Sequence, residues 1–114
     1  MATEYEINTL INYLCLHNVD FCLLHCHSAY PAPNHHLNLN YIKKLINLNK
    51  FDVGYSSHDL GPIASIAAIG AGACLLEKHI TLNRNSYGND HSVSLEPTEL
   101  ENYVLDVRNA YSMM

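Results

Sequence analysis

Residues 54–79, GYSSHDLGPIASIAAIGAGACLLEKH, place the tightest limit on what this chain can fold into. Two short apolar runs, 51–56 and 73–77, flank a segment of small residues at 62–71. A helix of Ala, Ile, Ser and Gly packs closely on a sheet and returns the chain to the next parallel strand by a right-handed crossover. The predicted unit is strand, helix, strand, with His58 and His79 each just past the C-terminal end of a strand. In α/β proteins that end of a parallel sheet is where chemistry is done.

The same alternation runs through the rest of the chain. Ile7, Leu10, Ile11 and Leu14 have the three-and-four spacing of an amphipathic helix over 3–17, opened by a capping-box pair, Thr3 and Glu6. Residues 21–26, FCLLHC, read as a parallel strand covered on both faces. Residues 27–39 form a long loop containing Pro31 and Pro33. A second helix at 40–49 turns Ile42, Leu45 and Ile46 inward and Lys43 and Lys44 outward. After a loop at 81–96, Pro97 starts a fourth helix with Leu100, Val104, Val107 and Tyr111 as its apolar stripe. Three parallel strands and four helices would leave both sheet edges open, so this reading is part of a larger barrel rather than a complete domain.

Composition limits the partners. Six Lys and Arg against eleven Asp and Glu, a net charge of −5, provide no basic surface for nucleic acid or an anionic membrane. No apolar run approaches the roughly 20 residues needed to span a bilayer, so the expectation is a cytoplasmic protein. Four cysteines, Cys15, Cys22, Cys26 and Cys74, sit within apolar runs, which suits reduced, buried thiols better than a disulfide framework.

From residue types alone, His58 and His79 are either two hydrogen-bonded structural histidines or two ligands of one divalent ion. Adjacent strand ends lie roughly 5 Å apart, within reach of a shared ion. Glu77, two residues before His79, is a surface carboxylate or an acid, base or ligand-orienting group. His25 with Cys22 and Cys26 has its spacing along one strand, which argues against a zinc cluster. His35 and His36 read as solvated loop residues, and Gly70 with Gly72 as a helix stop.

The segments LLHCHSAYPAP (23–33), GYSSHDLGPIASIAAIGAGA (54–73), LLEKHITL (75–82) and GNDHSVSLEPTEL (88–100), in that order, resemble the sialic acid synthases. The resemblance covers nearly the whole chain. It implies a (β/α)8 TIM barrel, of which residues 1–114 would be a C-terminal part comprising strands six to eight. It implies manganese, with magnesium as the alternative, bound by the histidines of the GYSxH and EKH segments, His58 and His79. Ser56 and Ser28 would contact phosphoenolpyruvate, Tyr30 and Asp90 the acylmannosamine, and Glu77 would lie near the reacting carbons. Ser57 stands where the family often has Asp or Gly, and His27 where Thr is usual.

The implied activity is condensation of phosphoenolpyruvate with N-acetylmannosamine or its 6-phosphate, with C–O cleavage, in a full-length homodimer. Residues 1–7, MATEYEI, look like a segment interior to the family's barrel, so the expectation is a fragment or split reading frame lacking strands one to five. An inactive remnant, a split-enzyme subunit and another phosphoenolpyruvate-dependent sugar aldol synthase are the alternatives.

Overall fold

The computed structural model describes residues 1–49 and 51–114. Its elements run α1 (Glu4–Leu16), β1 (Leu23–Cys26), a short 3-10 turn (Asn34–His36), α2 (Asn40–Asn49), β2 (Val53–Ser57), α3 (Ile63–Gly70), β3 (Leu76–Lys78), α4 (Asn89–Val93) and α5 (Pro97–Ser112). The strands form one parallel sheet in the order β1-β2-β3, the consecutive order expected of neighbouring strand units in a (β/α)8 barrel. No described helix is long and apolar enough to cross a membrane.

Local chemistry accounts for the element starts. The Thr3 hydroxyl accepts from Glu6 N–H, and the Glu6 carboxylate accepts from Thr3 N–H at 2.7 Å, so the predicted capping box is present. Those bonds, the backbone one first, hold the Glu6 carboxyl below its ordinary range. At α5, Pro97 occupies the first turn, while Glu96 and Glu99 form a second capping box in which the Glu99 carboxylate accepts from Glu96 N–H at 2.9 Å.

The core lies between one face of the sheet and the helices. Ile42 and Leu45 from α2 meet Val53 and Tyr55 from β2 and Ala64 and Ala68 from α3, with Ala32, Leu37 and Ala73 closing the cluster. Burying a side chain such as Ile42 or Val53 stabilises by about 1.5–3 kcal/mol, and both are 0–1 % exposed. Alanines on α3 let it approach the sheet, as its composition predicts. Gly54 serves the same closeness in the sheet, because a Cβ there would lie 2.5 Å from both Leu24 Cδ2 and the Leu75 carbonyl oxygen.

Five expectations are corrected. β1 is half-buried rather than covered on both faces, since it bonds only to β2. β3 begins at Leu76, not near 73, because Cys74 N–H already donates to Val53 O one residue ahead of the ladder's spacing, and regular pairing starts only after that offset. The 81–96 segment contains α4, making five α-helices among the described residues. On α5, Tyr103 is the buried residue and Tyr111 is 69 % exposed, a rotation of the stripe that lets the Tyr103 hydroxyl meet Ser65 Oγ at 2.8 Å. All four cysteines are free, but none is buried: Cys15 and Cys74 are exposed, and Cys22 and Cys26 half-buried.

Candidate active site

Residues paired across a parallel ladder share a face. Cys26, Ser56 and Glu77 therefore form one row across the three strands, on the face opposite the helix-packed Tyr55. In that row Ser56 Oγ donates to Glu77 Oε1 at 2.6 Å, joining β2 to β3 by a charge-assisted bond. Ser56 is buried, whereas Glu77 is exposed. The reason is that Glu77 points away from the packed layer.

Just beyond the strand ends, the His58 and His79 Nε2 atoms are 3.1 Å apart, with ring centroids at 4.9 Å. His58 is buried and His79 half-buried. The His58 Nδ1 faces Ser56 O at 3.4 Å and Cys26 Sγ at 3.6 Å. A carbonyl oxygen only accepts, so a hydrogen bond there requires the tautomer with the proton on Nδ1, which leaves the Nε2 lone pair toward His79. Two such nitrogens this close need a proton or a cation between them, or their lone pairs repel.

Loops complete the setting. Ala32 N–H donates to His58 O at 2.9 Å, which draws the loop after β1 over the pair. Tyr30 thereby packs T-shaped against both imidazoles, at 4.7 Å from His58 and 6.1 Å from His79. Ser28, exposed on the same loop, has its Oγ 3.7 Å from Cys26 Sγ. On the other side Leu95 N–H donates to His79 O at 2.9 Å, tying the segment after β3 to the start of α5.

Five of the seven residues singled out from sequence thus form one chain of neighbours, Tyr30, Ser56, His58, Glu77 and His79, which Ser28 joins through Cys26. Asp90 stands apart. It lies exposed in α4, and its carboxylate shares no hydrogen bond with the cluster among the described residues. Its place is set through its backbone, since Ser94 Oγ donates to Asp90 O at 2.7 Å, and through its neighbour His91, whose Nδ1 lies 2.7 Å from Thr81 Oγ1. His25 faces the helices, with its Nε2 2.7 Å from Leu37 O, so it cannot join Cys26 at one ion. His35 and His36 are exposed, as expected. Among the described residues no group of three or more His, Cys, Asp or Glu could hold a metal.

A second network went unnoticed in the sequence. On the helix-facing side, Lys78 Nζ donates to Ser57 Oγ at 3.0 Å and to Asp59 O, while Asp59 Oδ1 accepts from the Ser57 and Tyr55 hydroxyls at 2.8 Å each. Asp59 Oδ2 is buried without a partner among the described residues. Burial pulls the Lys78 ammonium below its ordinary range, Asp59 opposes the shift and Arg84 adds to it. Burial first, then the bond to Asp59, pushes the Tyr55 phenol up. The only advance signal was alternation, which puts Ser57 and Lys78 on the side away from Ser56 and Glu77.

A model of the NeuB family matches residues 1–114. The chain is 42% identical over 117 residues to the N,N'-diacetyllegionaminic acid synthase of Campylobacter jejuni, covering 100% of this chain and 35% of that protein. It is 46% identical over 109 residues to the N-acetylneuraminate-9-phosphate synthase of Homo sapiens, covering 95% and 30%. Among solved structures, the N-acetylneuraminic acid synthetase of Leptospira borgpetersenii, in complex with citrate, superposes with a TM-score of 0.93 at 34% identity, over 99% of this chain and 40% of that one. The chain spans about a third of the length of the curated relatives it matches.

Proposed function

Since the chain belongs to the NeuB family, we propose that it carries the metal-binding part of a phosphoenolpyruvate-dependent sugar-acid synthase site. The reaction joins the methylene carbon of phosphoenolpyruvate to the aldehyde carbon of N-acetylmannosamine or its 6-phosphate. Water adds to the adjoining carbon, and phosphate leaves with C–O cleavage. The observation that carries this reading is the His58 and His79 pair, with Nε2 atoms 3.1 Å apart at the strand ends.

These two histidines would hold a divalent ion, manganese first and magnesium as the alternative. The donor set fits: 3.1 Å is less than twice a zinc–imidazole bond of about 2.0–2.1 Å, the reference length for a small divalent ion, so one ion reaches both rings without strand movement. Two protein ligands leave positions open to substrate, as a catalytic rather than structural site requires. A bound ion supplies Lewis acidity toward the aldehyde oxygen.

The chain's own residues do the rest. The Ser56 carbonyl, facing His58 Nδ1, favours the tautomer in which Nε2 is a ligand, and the T-shaped packing of Tyr30 limits tilting of both rings. Ser56 Oγ orients the Glu77 carboxylate, which takes the proton from the adding water. Ser28 with Ser56 contacts phosphoenolpyruvate, while Tyr30 with Asp90 receives the acylmannosamine.

The test is phosphate release from phosphoenolpyruvate by the intact protein with manganese and each acceptor in turn. Release that requires both acceptor and metal, together with a nonulosonate product by mass spectrometry, is the expected result. No acceptor-dependent release with any N-acylmannosamine overturns it. Relatives named as legionaminic acid synthases support a second reading, a synthase for a different acetamido sugar. Turnover with a 2,4-diacetamido hexose in place of N-acetylmannosamine would select that one.

A further inference from the structure

The regular ladder stops one residue short of each imidazole-bearing residue, because β2 ends at Ser57 and β3 at Lys78. Ser57 and Lys78 are the last pair in register. Past them the carbonyls of the two histidines turn apart, His58 O to Ala32 N–H and His79 O to Leu95 N–H. Backbone pairing therefore does not define the distance between the two rings.

A side chain bridges that gap. Lys78 Nζ donates to Ser57 Oγ and to Asp59 O, the residues on either side of His58, from a position directly before His79. The acceptors are themselves held, since Ser57 Oγ and Tyr55 OH both donate to Asp59 Oδ1. Ser57 is 0 % and Asp59 1 % exposed. A half-buried ammonium is costly unless its donors are used, and here they span two strand ends. We propose that Lys78 is a positioning residue that sets the spacing of His58 and His79, an inference that rests on the metal-pair reading above. The bolt lies on the face opposite Ser56 and Glu77, so it acts through the backbone and touches no substrate.

A purely structural lysine would lower the melting temperature of its variants and leave the ligand set alone. The measurement is a count of bound imidazole nitrogens by pulsed EPR with Cu2+ as the probe, beside Mn2+ affinity and melting temperature, in the intact protein. Wild type should show two nitrogens. Lys78→Met should show one, with Mn2+ affinity weaker by about 10- to 100-fold, the range typical of groups that orient metal ligands. Two nitrogens in Lys78→Met with affinity within about threefold of wild type would overturn the proposal at any melting temperature. Should Lys78→Met not fold, Ser57→Ala, which removes one of the ammonium's acceptors, decides by the same thresholds. His58→Ala separates the two layers: unchanged Mn2+ affinity there sinks the metal-pair reading itself, whereas lost affinity there with an unaffected Lys78→Met sinks only the positioning role.

Discussion

Replacing Gly54 with alanine tests the close approach of β2 and β3 in the sheet that leads up to the two histidines. The added Cβ would meet Leu75 O and Leu24 Cδ2 at 2.5 Å, against 3.4 Å for ordinary contact. The Leu24 methyl can swing away. The Leu75 carbonyl cannot, since it accepts from Tyr55 N–H at 2.8 Å within the pairing of the two strands. Opening the strands enough to relieve the overlap strains that bond and its neighbour, Cys74 N–H to Val53 O at 2.9 Å. Two weakened backbone bonds at about 0.5–1.5 kcal/mol each, with overpacking at about 1–3 kcal/mol, bring the cost to about 2–6 kcal/mol. Urea unfolding of the intact protein measures it. Gly70→Ala, where an added Cβ meets nothing within 4 Å, is the control and should stay near wild type. A Gly54→Ala protein within about 0.5 kcal/mol of wild type, the usual range for an uncrowded surface change, would refute the argument from strand proximity.

Glu77→Gln keeps an oxygen for Ser56 Oγ but loses the base, so kcat should fall about 10²- to 10⁴-fold with little change in substrate KM or melting temperature; steady-state kinetics and calorimetry check both. Asp90→Ala should raise the acceptor KM by about 10- to 150-fold for each charge-assisted bond lost while phosphoenolpyruvate KM holds; an equal loss for both would point to collapse of the segment around α4. The Tyr55 phenol is raised in the folded state, so its stabilising contribution is complete below the unfolded value of about 10 and is lost as pH rises above it. Urea midpoints from about pH 8 to about pH 11 should therefore drop less steeply in Tyr55→Phe than in wild type.

What was legible in the sequence was what local pattern controls. The small-residue helix between two apolar runs specified the β2-α3-β3 unit, and Thr3 with Glu6 specified the start of α1, because both signals act within a few residues. The meeting of His58 with His79 followed from strand adjacency once a parallel sheet was assumed, whereas the row of Ser56 and Glu77 depends on the register of β2 and β3. The bolt of Lys78, Ser57 and Asp59 was not legible, since it joins residues about twenty positions apart whose types alone suggest a solvated strand end. α4 escaped because four polar residues and a single valine, Val93, show no helical period; contacts of Thr81 with His91 and of Ser94 with Asp90 hold it instead. The exposure of the cysteines escaped too, because apolar neighbours in sequence do not reveal that Cys15 lies on the outer side of α1 and Cys74 ahead of the edge strand β3.

The most direct test of the central claim is Mn2+ titration, followed by EPR, of the intact protein and its His58→Ala, His79→Ala and His35→Ala variants. The account predicts that either of the first two changes abolishes the bound signal, while His35→Ala, in the exposed turn before α2, binds as wild type does. Unchanged Mn2+ affinity in the His79→Ala protein would contradict it.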